Sequence, residues 1–354
     1  MTGLSKSRRD CNPRELAFVV PPKCNVVPPA STAIQGNTWL QVDSASRCRG
    51  NRDVLCAVNY TICKGQTRQH SRQAEAGAAN GTRGSEWKHL AWEMLSLLHP
   101  EGVYLYEPEY MLTRSGSPVI REDEAMSLIA GLFNCKITEE FVEWMKSRPD
   151  IRTVYRHIFT TRVCRRLDWG CLQADKLARL CGEAPYRMIK TIRLRLAWIH
   201  HLFAAPDLDL KVAFLIRDPR ASMGSRKRLG WSRGARELCP RIEEDLRHVA
   251  ELERLFPDRF FFLKYEDACW EPYGSALSIY RFLVGEDVTT LPEVWQSYLD
   301  QTASRAEAEE WRKEIDGATL EEVEESCGRV IDFLGYNHFA STREMRNLSI
   351  PLLI

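Results

Sequence analysis

The sequence predicts an α/β fold in which a central, mainly parallel sheet is flanked by helices. Strand-like apolar runs alternate with helix-like stretches over roughly 250 residues, the pattern of parallel α/β proteins. The run "KVAFLIR", 211–217, is continuously apolar at its centre, as expected for a parallel strand buried on both faces. A later stretch has apolar residues at helical spacing, namely Ile242, Leu246, Val249, Leu252 and Phe256.

The elements before this strand follow in order. "LAWEMLSLL" predicts a helix that ends at His99-Pro100, and "VYLYEP" predicts a short strand that Pro108 stops. "EDEAMSLIAGLF" and "TEEFVEWMKS" predict helices whose acidic first turns suit the helix dipole. "YRMIKTIRL" predicts a further strand ahead of "KVAFLIR".

The elements after it are equally regular. "RFFFLKYED" predicts a strand, and "YGSALSIYRFLVG" predicts a helix that stops at Gly285. "TLEEVEESCGRVIDFLG" is the clearest helix. Thr319 and Glu322 have the spacing of a capping box at its start, and Gly335 supplies a left-handed stop.

Composition divides the chain and excludes some functions. Residues 1–86 are expected to be a poorly ordered, atypical N-terminal segment, 87–340 the main domain and 341–354 a C-terminal tail. The net charge of +1 argues against a partner bound by bulk positive charge, such as nucleic acid. The sequence contains no apolar run of about 18 residues, so no transmembrane anchor is predicted. The N-terminal apolar run is too short for a signal peptide.

The segment "RDPRASMGSR" predicts an anion site. Arg217 ends the strand, Asp218 is a good N-cap, and Pro219 is a good first helical residue. Ser222 and Ser225 then share one helix face. Arg217 offers a bidentate fork and Ser225 a hydroxyl, so the expected ligand is a phosphate. The alternative is a strand-to-helix turn held by a structural Arg-Asp pair.

The wider segment "FLIRDPRASMGSR" resembles the 3′-phosphate-binding segment of sulfotransferases that use 3′-phosphoadenosine 5′-phosphosulfate (PAPS). It is most similar to the Golgi carbohydrate 6-O-sulfotransferases, which modify galactose, N-acetylglucosamine and N-acetylgalactosamine residues. "HPEGVYLYEPEYML", "LFNCKIT", "YRMIKTIRL", "FFFLKYEDACWEPYGSALSIYRFLVG" and "WRKEIDGATLEEVEESCGRVIDFLGY" resemble further blocks of that family.

The resemblance implies a P-loop-like sulfotransferase fold and transfer of a sulfuryl group from PAPS to a sugar hydroxyl, at position 6, of a glycan or proteoglycan. It implies no metal and a place in the Golgi lumen. Arg217 and Ser225 would hold the 3′-phosphate, and Arg312 is a weaker candidate, with an exposed helix arginine as the alternative. By resemblance Glu107 is the catalytic base; its alternative role is a structural carboxylate that caps a neighbouring helix.

The 5′-phosphosulfate loop is the weak part of the resemblance. The family carries an Arg-x-Gly-Ser-Ser-type loop after its first strand. Here Arg83, Gly84 and Ser85 resemble a shortened version, without an apolar strand before it. "TRSGS" at 113–117 breaks the family's order, and an absent loop is the third alternative. An inactive sulfotransferase-fold protein that binds nucleotide or glycan is therefore the alternative function.

The missing anchor and damaged loop have one common explanation: the first 85 or so residues are not the native partner of the rest, as an alternative first exon would produce. The 12 cysteines contain no C-x-x-C pair, so they are either scattered buried thiols or lumenal disulfides. The resemblance favours pairing of some of the cysteines in the family-like region, which are Cys135, Cys164, Cys171, Cys181, Cys239, Cys269 and Cys327. Outside that region, the sequons at Asn59, Asn80 and Asn347 fit a glycoprotein.

Overall fold

A parallel five-stranded sheet organises the chain. The computed structural model describes the backbone of residues 53–58 and residues 103–113, 120–147, 172–184, 186–228, 230, 233–285, 288–302 and 305–354. The strands are β1 (Asp53–Val58), β2 (Val103–Tyr106), β3 (Arg187–Thr191), β4 (Leu210–Ile216) and β5 (Phe260–Lys264). Their order is β2-β3-β1-β4-β5, and every pair is parallel. The predicted α/β class with a parallel sheet is confirmed.

Helices connect and cover the strands. In chain order they are α1 (Glu122–Phe133), α2 (Glu139–Ser147), α3 (Ala174–Glu183), α4 (Ile199–Ala204), α5 (Pro219–Arg228), α6 (Ala235–Leu255), α7 (Tyr265–Trp270), α8 (Pro272–Val284), α9 (Glu293–Thr302), α10 (Trp311–Glu314), α11 (Gly317–Leu334) and α12 (Thr342–Arg346). Short 3-10 turns cover Pro108–Leu112, Leu196–Trp198 and Arg305–Ala308. The helix predicted at residues 90–98 lies outside the described residues.

Both faces of the sheet are buried. Along β4, Val212 and Phe214 join a large apolar cluster on one face, and Ala213 and Leu215 join a second cluster on the other. Side chains of a strand alternate between faces, so a strand with helices on both sides must be apolar throughout. This is why "VAFLI", 212–216, is an unbroken apolar run.

The centre of the sheet was missed by the sequence analysis. β1 lies between β3 and β4, although residues 1–86 were expected to contain no strand. That expectation is wrong, because Asp53–Val58 pairs along its length with both neighbours. The run "DVLCAV" is short and stands alone among polar residues, so only its partners identify it. The predicted domain boundaries stay a prediction.

Helix α11 begins differently from the prediction. Its N-cap is Asp316, whose carboxylate accepts a hydrogen bond from the Thr319 backbone N–H at 2.8 Å. Glu322 is not part of a capping box; it accepts a 2.8 Å hydrogen bond from the Ala235 backbone N–H and so ties the start of α6 to α11. Gly335 ends α11 in the left-handed conformation, as predicted.

Among the described residues, two disulfides strengthen the fold. Cys135 pairs with Cys181, and Cys239 on α6 pairs with Cys327 on α11. Cys269 is buried and has a free thiol. The expected disulfide pairing is thus present, while Cys164 and Cys171 lie outside the described residues. Among the described helices, none combines the length and the apolar character needed to cross a bilayer.

Candidate active site

The candidate site lies at the carboxyl edge of the sheet. Thr191 of β3 and Phe214 of β4 both pair with Ala57 of β1. The carboxyl ends of β3 and β4 therefore lie at the same edge of the sheet, with β1 between them. Neighbouring strands are about 4.8 Å apart, which separates β3 from β4 by about 10 Å. β2 and β3 lie on one side of β1, and β4 and β5 lie on the other. Ligands of parallel α/β sheets bind at the point where the strand order reverses in this way.

Arg217 stands directly after β4 and is buried. Its guanidinium lies 4.4 Å from the centre of the Tyr265 ring, and its Nε has no hydrogen-bond partner among the described residues. A buried guanidinium nitrogen without a hydrogen-bond partner is costly unless a ligand supplies one. Arg217 is therefore a candidate anion-binding residue, as predicted.

The adjacent Asp218 does not neutralise Arg217. Its carboxylate accepts hydrogen bonds from Arg220, at 2.8 Å from the backbone N–H and at 2.8 Å from Nη2. Arg220 is fully buried and also bonds Glu324 at 2.8 Å. An Arg-Asp pair is thus present at the turn, but it uses Arg220, and Arg217 remains available for a ligand.

The first turns of α5 place hydroxyls near this corner. Ser222 and Ser225 are both buried and lie one turn apart. The Ser222 hydroxyl has no hydrogen-bond partner among the described residues. A buried hydroxyl in that state is another group that an anion can satisfy.

Glu266 lies beneath the same corner. It is fully buried, and its carboxylate accepts hydrogen bonds from the Asp218 backbone N–H at 3.1 Å and from the Tyr336 hydroxyl at 2.5 Å. Burial, together with the nearby charge of Asp218, raises the pKa of Glu266 to about 7, although Arg217 opposes the rise. The charge next to Arg217 therefore changes near neutral pH.

Glu107 forms the opposite corner, after β2. It is buried, and its two carboxylate oxygens accept hydrogen bonds from Lys190 and Arg193. Lys190 lies near the end of β3, and Arg193 follows that strand. Burial alone would raise the pKa of Glu107, but these two cations outweigh it and hold the pKa below the ordinary value. Its side chain makes no cap hydrogen bond to the 3-10 turn that follows it.

The backbone at Glu107 is unusual. Its φ of 48° and ψ of 50° place a non-glycine residue in the left-handed region, which costs about 1–2 kcal/mol. Its backbone N–H still donates to the Lys190 carbonyl at 2.7 Å. Such strain persists where surrounding contacts hold it, and it is frequent at functional sites.

A second carboxyl group lies beside Glu107. Glu109 is fully buried, accepts hydrogen bonds from the Thr191 hydroxyl and, at 3.3 Å, from the Ile192 backbone N–H, and leaves its other oxygen without a partner among the described residues. Burial and then the charge of Glu107 raise the pKa of Glu109 above its ordinary value. The environment thus favours an ionised Glu107 beside a Glu109 that is harder to ionise.

Arg312 corrects both interpretations made from the sequence. It is fully buried rather than exposed, and its guanidinium donates to the backbone carbonyls of Asn347 at 2.9 Å and Ile350 at 3.1 Å. Its ring contact is to Phe339, at 4.7 Å. These contacts hold the C-terminal segment in place and leave no role in phosphate binding.

Sequence reasoning missed several residues of the site, and some residues that it predicted lie outside the described part of the chain. Arg83, Ser85 and residues 114–117 of "TRSGS" lie outside the described residues. The sequence analysis does not predict Lys190, Arg193 or Glu266 as site residues. Lys190 lies near the end of β3, Arg193 follows β3, and Glu266 follows β5, just as Arg217 follows β4. Applying the same carboxyl-edge rule to β3 and β5 would have found them.

The carboxyl edge of the sheet thus carries buried cations, Lys190 on β3 and Arg217 after β4, where an anionic ligand could bind. Curated relatives give the class of protein a name. The chain is 25% identical to carbohydrate sulfotransferase 5 of Mus musculus over 72% of this chain and 80% of that protein. It is 23% identical to carbohydrate sulfotransferase 6 of Homo sapiens with the same coverage, and 27% identical to carbohydrate sulfotransferase 3 of Mus musculus over 56% and 49%.

These relatives are carbohydrate sulfotransferases, and the chain is similar to them in sequence over more than half of its length. No family model matches the sequence. Among solved structures, the sulfotransferase domain of the Synechococcus PCC 7002 olefin synthase aligns with a TM-score of 0.42 and 16% identity, over 85% of this chain and 99% of that one. Retinol dehydratase, in complex with androsterone and the inactive cofactor PAP, aligns with a TM-score of 0.37 and 17% identity, over 79% and 80%.

Proposed function

We propose that this chain transfers a sulfuryl group from PAPS to a hydroxyl of a sugar, at position 6, in a glycan or proteoglycan. The observation that carries the proposal is the buried guanidinium of Arg217 at the carboxyl end of β4, whose Nε has no hydrogen-bond partner in the described part of the chain. The family supplies the chemical class of the ligand, and this corner supplies a place for its 3′-phosphate.

Arg217 and Ser225 bind the 3′-phosphate in this proposal. A guanidinium presents paired donors to phosphate oxygens, and a serine hydroxyl adds another donor. Each charge-assisted hydrogen bond contributes about 1.5–3 kcal/mol. The Arg220–Asp218 pair supports the arrangement because it neutralises Asp218, which would otherwise repel the phosphate.

Glu107 is the proposed base. The acceptor oxygen forms a bond to sulfur while the bond from sulfur to the nucleotide's 5′-phosphate oxygen breaks, and the hydroxyl proton passes to Glu107. The cations Lys190 and Arg193 support this role because they keep the carboxylate ionised and oriented before reaction. In-line transfer depends mainly on such positioning. Arg83 and Ser85 remain the proposed partners of the leaving 5′-phosphate.

A Golgi lumenal location is also proposed. Disulfides form and persist in the secretory pathway, and the described ranges contain Cys135–Cys181 and Cys239–Cys327. The sequon at Asn347 is exposed and therefore accessible for glycosylation. A shift in mobility after endoglycosidase treatment, lost in Asn347→Gln, would support passage through that route.

The direct test incubates the purified chain with PAPS carrying labelled sulfate and a mixed glycan acceptor. We expect labelled glycan, with the sulfate on the 6-hydroxyl by fragmentation mass spectrometry. In parallel, calorimetry with 3′-phosphoadenosine 5′-phosphate measures nucleotide binding. We expect Arg217→Ala to weaken this binding by about 100-fold, the loss of two charged hydrogen bonds at the low end of their range.

Lys227→Ala is the matched control. Lys227 is an exposed cation on the same helix that bonds Asp316, so its loss should leave nucleotide affinity nearly unchanged. Nucleotide binding that depends on Arg217, without any transfer of label, would instead identify an inactive nucleotide-binding protein. Binding that is equal in Arg217→Ala and the unsubstituted chain would contradict the proposed site.

A further inference from the structure

A cluster of two histidines and one glutamate lies on the surface between α4 and α6. His200 belongs to α4, whereas His248 and Glu251 are one turn apart on α6. One ligand atom from each residue falls within 4.8 Å of the other two. We propose that this cluster binds a divalent transition-metal ion, with Zn²⁺ as the expected occupant, and that the ion clamps α4 onto α6.

The distances suit a site that closes around an ion. The same Glu251 oxygen lies 4.0 Å from His200 Nε2 and 3.8 Å from His248 Nδ1. Both distances exceed an ordinary hydrogen bond. Ligand atoms around tetrahedral zinc are about 3.3 Å apart, because each bond is about 2.0 Å long. Rotation of partly exposed side chains covers the difference without movement of the helices.

The donor types select the kind of ion. Two imidazole nitrogens and one carboxylate oxygen are borderline ligands that suit Zn²⁺, Cu²⁺ or Ni²⁺. Ca²⁺ and Mg²⁺ prefer an all-oxygen shell, so they should not compete. The His200 ring is also held edge-on against Phe256, 5.8 Å away between centroids, which limits the orientations of one ligand.

The position of the cluster indicates a structural role. α4 leads to the start of β4, and the last turns of α6 lead to the start of β5. His248 and Glu251 therefore lie near the amino edge of the sheet, opposite the candidate active site. From Ala235 to His248 the helix rises by about 20 Å. A metal at this edge would stabilise the packing of α4 without touching the proposed reaction.

The test is titration of the metal-free, full-length protein with Zn²⁺ alone. Calorimetry should show a binding event that raises the thermal unfolding midpoint, and Mg²⁺ should not reproduce it. In His248→Ala and Glu251→Gln we expect the dissociation constant of this event to rise at least about tenfold. The midpoints of both variants without metal should match that of the unsubstituted chain.

His201→Ala is the matched control. His201 neighbours His200 on α4, but its Nδ1 lies 2.8 Å from Glu122 and it faces a different partner. It should keep full Zn²⁺ affinity. If His248→Ala and Glu251→Gln both bind Zn²⁺ as the unsubstituted chain does, or if His201→Ala alone loses binding, the proposal is wrong. Should His248→Ala fail to fold, Glu251→Gln with the same titration decides.

Discussion

The two corners of the candidate site differ in how their charges are satisfied. At the β4 corner, the Nε of buried Arg217 and the hydroxyl of Ser222 have no hydrogen-bond partner within the ranges that the structure describes. At the β2 corner, Glu107 is equally buried, but Lys190 and Arg193 bind both of its oxygens. An external anion could satisfy the groups of the first corner, whereas the carboxylate of the second is already bound by protein cations. Binding and chemistry are therefore separable by substitution.

The largest expected effect is on catalysis at the complete corner. Glu107→Gln should lower kcat by about 10²–10⁴-fold, the usual contribution of a general base, while nucleotide affinity stays unchanged. Because its pKa is lowered, the acid side of the unsubstituted enzyme's pH profile should fall only below the ordinary glutamate value of 4.5. Steady-state rates across pH measure both.

A full rate in Glu107→Gln would remove Glu107 from the mechanism. A loss of rate with the pH profile unchanged in shape would reduce it to a positioning residue. Nucleotide affinity that falls together with kcat would show that the two corners are not separable.

The next largest effect contrasts two neighbouring arginines in stability. Arg220→Met removes the partner of buried Asp218 and should lower the free energy of unfolding by about 3–5 kcal/mol. Arg217→Met removes a cation whose Nε is unsatisfied, so the free energy of unfolding should stay unchanged or rise. Chemical denaturation of the nucleotide-free protein compares them, and equal destabilisation by both would contradict the contrast.

A smaller effect concerns pH at the open corner. The folded pKa of Glu266 is about 7 against an ordinary 4.5, so between these values the native state binds more protons than the unfolded state. The contribution of Glu266 to the free energy of unfolding is therefore full below pH 4.5. It is lost as the pH rises through 7, which lowers the free energy of unfolding by roughly 3 kcal/mol in total.

Glu266→Gln should flatten this part of the stability profile. The substitution keeps an acceptor for the Asp218 backbone N–H. It should also reduce any loss of nucleotide affinity between pH 6 and pH 8, since the ionised carboxylate competes with phosphate for Arg217. Denaturation and calorimetry at several pH values measure the two effects, and identical profiles for both proteins would refute the assignment.

The smallest effect tests the hydroxyl. Ser222→Ala removes a buried oxygen for which the described residues supply no hydrogen-bond partner, so protein stability should change little. If the oxygen meets the phosphate, the dissociation constant for 3′-phosphoadenosine 5′-phosphate should rise by about 3–10-fold, the value of one ordinary hydrogen bond. Unchanged affinity in calorimetry would place Ser222 outside the site.

Much of the fold follows from local patterns. The spacing of "EDEAMSLIAGLF" predicts α1 with the bounds that it has, and Gly335 ends α11 where the sequence indicates. The strand-to-helix turn after β4 is also local, because Asp218 and Pro219 act within a few residues. The anion corner could be predicted for the same reason, since the residues that form it are adjacent in sequence.

The remaining features depend on distant partners. The sequence by itself determined the α/β class, the β4–α5 turn and the chemistry of Arg217. Only the tertiary structure decided that "DVLCAV" is the central strand, that Asp218 pairs with Arg220 and that Arg312 is buried under the C-terminal segment. It also brought Glu107 to Lys190, 83 positions away. Helical spacing and caps act over one or two turns, whereas strand neighbours and buried ion pairs exist only after the chain has folded.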